Sequence, residues 1–557
     1  MRAISALGLL TLALELAATA ACGFSSPKGS PSDGPPADTP PNLTEVRFTS
    51  VTASQAVLRP GYYGISVTAV LRNDLATQIT GVRASLTFRD GAADRAGDFR
   101  WRDADAREGV MAAQPATVPA GGEATFRFIV DARPSAVGPG PILLGGEATF
   151  LLDGASRSAA PLDPPTPLPY ATLRAPIVVT TATDEDNGDA NISFREAIKL
   201  ANSNSGFDRI VFSPTVFPPG NTTPAFLNAG FGEIPAVNGD LVIDGSGAGF
   251  ILAVTAFWRS SSRYGLRLQS GTLVVHGLTF QDLGEGYPDE ILTTNNCGTG
   301  NQGEGGAIRV DNGTLILDGN RFSDPNVTER NCYAASVRIH GGTNHRILRN
   351  TWTSLSMDAL YIDAATREVT DNVIDGSAAL DKGDDSIFIA RQGNTDLWLV
   401  GNLCVDQEFS GVAVSDMKGT DTGTLHVVNN TFVRERNIAV RQSAARRVEL
   451  HNNAYLSNQT AAIASDLTGT NLRISHEAES SNPMFCMGCD NAMIQIPTNL
   501  TGVNLNLVNE AGAMPADLTP RADSPLVGSG TDLVDRNGSA PGHFNGQGSE
   551  RGAFELP

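Results

Sequence analysis

The sequence predicts an all-β protein in which a parallel β-solenoid of about nine or ten coils follows a smaller β-sandwich. Three observations support this prediction. The 557 residues include 58 Gly and 32 Pro, a composition that favours turns over long helices. Runs that alternate apolar and polar residues recur between turn clusters in residues 43–172. A short strand motif then returns at intervals of roughly 20–30 residues from about 240 to 470, which is typical of a stacked repeat.

The charge balance excludes one class of partner. The formal net charge is −20, with a sequence pI near 4.8. Nucleic-acid binding needs a basic surface, so we expect no nucleic-acid partner. A hydrophobic content of 41% is ample for a folded core.

The first 42 residues predict export. Residues 1–22 are typical of a lipoprotein signal peptide: Arg2 precedes an apolar run that is too short to span a membrane. The segment Thr19–Gly23 resembles a lipobox, which predicts lipidation of Cys22 and anchoring to a membrane. The alternative is cleavage after Ala20 and secretion. Residues 23–42 form a tether rich in Pro, Ser and Gly, so the expected location is the outer membrane or cell surface.

The other cysteines divide into two predicted disulfides and one buried thiol. An oxidising compartment would allow Cys297 to pair with Cys332, and Cys486 to pair with Cys489. Cys404 takes a repeat position that other coils fill with large apolar residues, so we expect it to be a buried apolar side chain.

Two units are expected before the solenoid. About seven period-two strands in residues 43–172 predict an immunoglobulin-like β-sandwich that serves as a spacer or accessory domain. Residues 173–212 predict an N-terminal cap with an amphipathic helix. Ser193 and Glu196 have capping-box spacing, and Phe194 shares a face with Ile198.

The solenoid is predicted to occupy residues 213–470, with a C-terminal capping segment at 471–557. One strand motif and one Asn-containing turn occur in fixed order in each repeat. Stacked turns allow identical amides to form a hydrogen-bonded ladder. The predicted ladder consists of Asn320, Asn350, Asn372, Asn402, Asn430 and Asn453.

These repeats resemble a right-handed parallel β-helix of the pectin-lyase-like superfamily. The segment Ser193–Ile198 resembles a signature that opens many exported bacterial β-helix proteins. Asn482–Phe485, Asp523–Gly530 and Arg551–Glu555 resemble the closing segment of choice-of-anchor Q surface proteins. The resemblance covers about 176–557. It implies the fold and export, but it does not specify an activity.

Carboxylates on neighbouring coils form a candidate catalytic group. Asp358 and Asp385 occupy equivalent repeat positions, with Asp384 beside them. Such a group suits general acid–base catalysis or Ca²⁺ binding, although aspartates at these positions also occur as ordinary corner residues. The order of these aspartates resembles that in polygalacturonase-type glycoside hydrolases, which implies glycan hydrolysis. The histidine motif expected on the next coil is absent, and Arg441 is the candidate for the final basic position.

A second candidate site is an outward-facing stripe of the strand motif. Its outward positions are predicted to be Arg267, Arg309, Arg338, Tyr361, Phe388, Ala413, Ala439 and Ala464. Aromatic rings stack on sugars and arginine pairs with uronate carboxylates, whereas a loop packed over the stripe would explain the same residues without a ligand. The predicted substrate-binding residues are Arg309, Arg338, His340, Tyr361, Asp363, Phe388 and Arg441.

An acidic loop before the helix resembles half of a calcium site, with Asp184, Asp186 and Asp189 as candidate ligands. No cofactor is otherwise expected. The sequence therefore favours a monomeric surface lipoprotein that binds extracellular polysaccharide or mediates adhesion. The alternative is a polysaccharide hydrolase or lyase that uses Asp358, Asp384 and Asp385.

Overall fold

The structure of the protein is a computed structural model. The structure describes residues 43–526 with the following gaps: 56–57, 59–60, 62–63, 92, 102–109, 113–116, 134–139, 171–174, 229–230, 255–263, 283–305, 324–334, 356–357, 378–384, 392, 416–421, 443–446, 466–471, 489–498, 500, 506–517, 519–520 and 522–523. Within these ranges no helix has the length and apolar character needed to cross a bilayer. Cys22 lies outside the described residues, so its lipidation stays a prediction.

An N-terminal β-domain comes first. Its elements are β1 (Leu43–Ala53), β2 (Ile65–Asn73), β3 (Ile79–Asp90), β4 (Ala93–Asp94), a 3-10 turn (Ala96–Asp98), β5 (Phe99–Trp101), β6 (Val110–Ala112), β7 (Thr117–Val118), β8 (Glu123–Ala132), β9 (Gly140–Leu152), β10 (Ala155–Ala160) and β11 (Thr166–Tyr170).

Antiparallel pairing dominates this domain. Strands β1, β2, β8 and β5 pair in that order, β3 and β9 pair with the remaining strands, and a parallel pairing of β1 with β10 joins the two groups. Alternate residues of β2 and β8 point into one core, where Val67 and Phe126 lie with Phe88 and Leu144 from the other group. The domain has eleven described strands where the sequence predicted about seven, and its immunoglobulin-like topology stays a prediction.

Helix α1 (Phe194–Ser203) follows, with the predicted capping box. The Ser193 side chain accepts from the Glu196 backbone N–H at 3.1 Å, and the Glu196 carboxylate accepts from the Ser193 N–H at 2.9 Å. Burial acts to raise the pKa of Glu196, but hydrogen bonds from Ser193, Gly188 and Asn187 outweigh it and lower the pKa. The apolar face of α1 packs into the solenoid core through Phe194, which contacts Phe212 and Phe250.

Three parallel sheets build the solenoid. The first sheet contains β12 (Ile177–Val179), β13 (Phe207–Phe212), β16 (Asp240–Asp244), β19 (Thr272–His276), β22 (Thr314–Asp318), β25 (Thr343–Leu348), β28 (Ala365–Thr370), β31 (Leu397–Val400), β34 (Leu425–Val428), β37 (Val448–His451) and β40 (Leu472–Ser475). The second sheet contains β14 (Ala225–Leu227), β17 (Ile251–Val254), β20 (Thr279–Gln281), β23 (Arg321–Ser323), β26 (Thr351–Thr353), β29 (Val373–Asp375), β32 (Leu403–Val405), β35 (Thr431–Val433), β38 (Ala454–Leu456) and β41 (Ala478–Ser480). The third sheet contains β15 (Val237–Asn238), β18 (Tyr264–Ser270), β21 (Gly306–Val310), β24 (Ala335–Ile339), β27 (Asp358–Asp363), β30 (Asp385–Arg391), β33 (Ser410–Val414), β36 (Ile438–Gln442), β39 (Ala461–Ser465) and β42 (Cys486–Met487).

The chain visits the three sheets in turn, so each coil contributes one strand to each sheet. Ten such coils are described, which confirms the predicted right-handed parallel β-helix and its number of coils. The coils extend further than the predicted range of 213–470. Strands β12 and β13 already belong to the first sheet, and the last coil is built from residues 472–487.

The predicted Asn ladder lies at the turn between the first and second sheets. The Asn372 backbone N–H and Nδ2 both donate to Asn402 Oδ1, at 3.1 and 2.9 Å, and the same pair of bonds recurs along the column. At its far end, Asn453 donates to Glu477. The left-handed conformation belongs to the residue before each Asn, as at Asp371 (φ 56°), and not to the ladder Asn itself.

The C-terminal segment packs along the outer face of the second sheet. Leu505, Leu518 and Leu526 lie in one apolar cluster with Leu403 and Leu456. The Val503 N–H also donates to the Glu479 carbonyl at 3.2 Å, so the chain near residue 503 bonds to β41, the last strand of the second sheet. The segment therefore covers one side of the solenoid as well as its end, whereas the sequence predicted only a cap.

Cys404 is confirmed as a buried free thiol between Ile374 and Phe432. Burial raises its pKa far above the usual value, which makes the thiol unreactive. Cys486 is disulfide-bonded. Cys297, Cys332 and Cys489 lie outside the described residues, so both proposed pairings stay predictions.

Candidate functional site

The predicted stripe is one column on the outer face of the third sheet. Strand register aligns its members in the order Arg267, Arg309, Arg338, Tyr361, Phe388, Ala413, Arg441, Ala464 and Met487. Adjacent strands are about 4.8 Å apart, so neighbouring side chains in this column contact each other. We call this column the third-sheet stripe.

The predicted register was wrong on one coil. Val412 aligns with Val440, and Ala413 aligns with Arg441, so β36 is shifted by two residues from the predicted alignment. Ala439 was predicted to face outward, but it is fully buried in the core. The shift brings Arg441, which is exposed, into the stripe.

The middle of the stripe is a continuous stack. The Arg338 guanidinium lies 4.3 Å from the centre of the Tyr361 ring, and Tyr361 stacks on Phe388 with 5.3 Å between ring centres. Arg338 is only 8% exposed, while Tyr361 and Phe388 are half-buried. Both faces of Tyr361 are therefore occupied within the protein, and its ring edge is the part left for a ligand. The expected stacking of a sugar on an aromatic face therefore does not hold for Tyr361.

Charged groups flank the stack on the next outward column. His340 Nδ1 lies 3.9 Å from Asp363 Oδ2, and the Arg391 Nε lies 3.0 Å from Asp363 Oδ1. Asp311 pairs with both Arg267 and Arg309. Burial acts to raise the pKa of Asp311, but hydrogen bonds from Arg309 and Arg267 outweigh it and lower the pKa.

The predicted carboxylates border the stripe. Asp358 and Asp385 begin adjacent strands of the third sheet, and the Asp385 backbone N–H donates to Asp358 Oδ1 at 2.9 Å. They are 8% and 9% exposed. Asp384 lies outside the described residues. On the coil of β36 the position beside Ser410 is taken by Ile438, while Arg436 lies in the preceding turn and pairs with Glu408.

The three candidate calcium ligands each have a different partner. Asp184 is buried and forms a two-point ion pair with Arg195, at 2.9 and 2.8 Å. Asp186 pairs with Lys199, and Asp189 Oδ1 accepts from the Asn191 N–H. Among the described residues, no three acidic, His or Cys side chains form a group that could hold a metal ion. The predicted ligand set is therefore not assembled.

Sequence reasoning missed three residues around the stripe, of which Tyr264 is buried. Asp311, Arg391 and Tyr264 were not selected, although Tyr264 lies 5.5 Å from the Arg309 guanidinium. The available signal was spacing: Asp311 follows Arg309 by two residues and therefore points to the same side of its strand. Arg391 could not be placed in this way, because a register shift aligns it with Asp363.

No protein-family model matches the chain, and no curated protein matches it. Solved structures that align with it include the catalytic domain of a GH87 alpha-1,3-glucanase in complex with nigerose, at 8% identity and a TM-score of 0.24, over 83% of this chain and 98% of that chain. A family 28 exopolygalacturonase from Yersinia enterocolitica aligns at 9% identity and a TM-score of 0.28, over 82% of this chain and 99% of that chain. These similarities are too distant to carry an argument about activity.

Proposed function

We propose that the protein is an exported surface protein that binds an acidic extracellular polysaccharide along the third-sheet stripe. The observation that carries this proposal is one column that contains Arg309, Tyr361, Phe388 and Arg441 at its surface, with buried Arg338 stacked on Tyr361. The chain as a whole is acidic, with 60 Asp and Glu against 40 Lys and Arg. A basic and aromatic column is therefore a local departure from the average composition.

The chemistry of the column suits a uronate-containing chain. A guanidinium binds a carboxylate through two parallel hydrogen bonds, and a ring edge contacts the apolar side of a sugar. The His340, Asp363 and Arg391 group adds donors and acceptors for hydroxyls beside the stack. A lipid on Cys22 would hold this surface at the cell envelope, and a monomer suffices because one chain supplies the whole column.

Glycan cleavage is the second candidate function. The observation that favours it is the placement of Asp358 and Asp385 on adjacent strands at the border of the stripe. Two carboxylates beside a bound glycan can share the roles of general acid and general base. Calcium binding there would require further oxygen ligands, such as Asp384, beside these two carboxylates.

The test uses the chain with Cys22→Ser, so that no lipid is attached. It is incubated with polygalacturonate, alginate and a neutral glucan, with and without Ca²⁺. Binding is measured by calorimetry, and reducing ends and unsaturated products are followed over time. We expect binding to at least one acidic glycan and none to the neutral glucan. Equal binding to all three, or no binding, contradicts the proposal.

Asp385→Asn and Asp358→Asn separate the two functions. If the protein cleaves a glycan, both variants lose product formation while they keep binding. If it only binds, wild type and variants give no products and similar affinities.

A further inference from the structure

A covered apolar patch lies on the outside of the first sheet. Val242, Val274 and Ile316 align on three adjacent strands and are 0%, 2% and 5% exposed. Their neighbours Leu241 and Ile243 belong to the solenoid core, so Val242 must point away from it. An outward side chain can be buried only if something outside the solenoid covers it.

The N-terminal β-domain supplies that cover. A Cβ placed on Gly61 would lie 3.1 and 3.2 Å from two Val274 carbons and 3.5 Å from Val242. Gly61 also has a φ of 75°, a conformation that side chains disfavour. The backbone angle therefore favours glycine, and a larger residue would also press on the Val274 side chain of the first sheet.

The contact extends over further coils through polar groups. Gly64 lies against the Arg346 guanidinium, which pairs with Glu368 at 2.6 Å. Arg100 of the β-domain reaches Asp318 at 4.0 Å, and Asp318 is also bound by Arg349 at 2.7 Å. Burial, together with the nearby Arg349 charge, lowers the pKa of Arg100, as expected where a guanidinium is partly removed from water.

We infer that the N-terminal β-domain is a fixed part of the solenoid, docked on the first sheet, and not a mobile spacer. The docking shields the apolar patch of β16, β19 and β22, which would otherwise be an exposed hydrophobic surface. In this arrangement the β-domain occupies the outer face of the first sheet. The third-sheet stripe lies on another sheet and stays clear of these contacts.

This inference does not depend on the proposed function, and its test needs no glycan. Residues 171–174 are replaced in the full chain by the recognition sequence of a specific protease, and the chain is cut there after folding. Gel filtration then shows whether the two fragments separate. We expect them to co-elute at micromolar concentration, because the interface holds them without a covalent link.

Val274→Asp in the same cleavable chain tests the interface itself. A carboxylate at position 274 would be buried between Gly61, Val242 and Ile316. The aligned arginines of the column, Arg209 and Arg346, lie two strands away on either side, so we expect the cut fragments to separate. Arg321→Asp is the matched control, because Arg321 is an exposed strand residue of the second sheet. Its fragments should co-elute as in wild type.

Circular dichroism of the uncut proteins shows whether each variant is folded. Arg100→Ala offers a milder second variant if Val274→Asp does not fold, and it is expected to weaken fragment association severalfold. Separation of the wild-type fragments on cutting would overturn the inference, as would co-elution of fragments from a folded Val274→Asp chain.

Discussion

Two columns of side chains run along the solenoid, and they differ in how uniform their residue types are and in how exposed they are. The Asn ladder keeps one residue type on six successive coils, and none of its members is more than 1% exposed. The third-sheet stripe changes from Arg to Tyr, Phe and Ala along its length and is partly exposed. A uniform buried column serves stacking, whereas a varied surface column is free to serve a ligand.

The largest expected effect is on stability, from a change in the buried column. Asn402→Ala removes the acceptor of two Asn372 donors and the donor to the Val369 carbonyl. Unpaired buried groups cost about 1–3 kcal/mol each, so we expect a loss of about 3 kcal/mol in the free energy of unfolding, measured by urea denaturation. Asn394→Ala, at an exposed site, is the control and should change it by less than about 0.5 kcal/mol. Equal losses at the two sites would contradict the structural role of the ladder.

A second buried group should make stability depend on pH. His345 is fully buried, its Nδ1 accepts from the Leu315 N–H at 3.1 Å, and burial lowers its pKa to about 4. The unfolded chain has a His pKa near 6.5. Above about pH 6.5 His345 is neutral in both states, so the free energy of unfolding has its full value. As the pH falls towards 4, protonation of the unfolded chain lowers this free energy by up to about 3 kcal/mol.

Urea denaturation between pH 7 and pH 4.5 measures this loss. His345→Asn places a non-titrating amide oxygen near the position of Nδ1, so the variant should lose less stability over this range than wild type. A variant with the same pH dependence as wild type would show that His345 does not contribute.

A change in the stripe should affect binding more than stability. Phe388→Ala removes the ring stacked on Tyr361, a contact worth about 1 kcal/mol because the pair is only half-buried. If the stripe binds the glycan, affinity should fall about tenfold by calorimetry. A stability loss as large as that of Asn402→Ala, with affinity unchanged, would place Phe388 among the structural residues.

The smallest effect is expected at Arg436. This residue pairs with Glu408 at the surface and lies outside the stripe, so Arg436→Ala should change stability by a few tenths of a kcal/mol and leave affinity unchanged. A clear loss of affinity would mean that the ligand surface extends into the turn before β36.

Most of the fold could be predicted because strand motifs and Asn residues recur in the sequence at regular spacing. The ladder Asn residues, the capping box and Cys404 follow from residue type and spacing alone. The stripe was predicted except on the coil of β36, where the strand motif allowed two registers. Only the pairing of Val412 with Val440 shows that Arg441 is the outward residue.

The contacts of the site could not be predicted in the same way. Whether Tyr361 offers its face or its edge depends on how close Arg338 and Phe388 come, which strand spacing alone does not determine. The docking of the β-domain was missed for a related reason. In the sequence, Val242 and Val274 are indistinguishable from ordinary strand residues. Their burial on the outer face of the sheet depends on Gly61, which is distant in sequence.

The central claim is that the third-sheet stripe binds an acidic polysaccharide. The most direct test compares the dissociation constants of wild type, Arg309→Ser/Arg441→Ser and Arg473→Ser for the acidic glycan that wild type binds. Arg473 is an exposed arginine of the first sheet, so the control removes positive charge from another face. The account predicts a loss of affinity of at least tenfold for the stripe variant and less than twofold for the control. Equal affinities for all three proteins would contradict it.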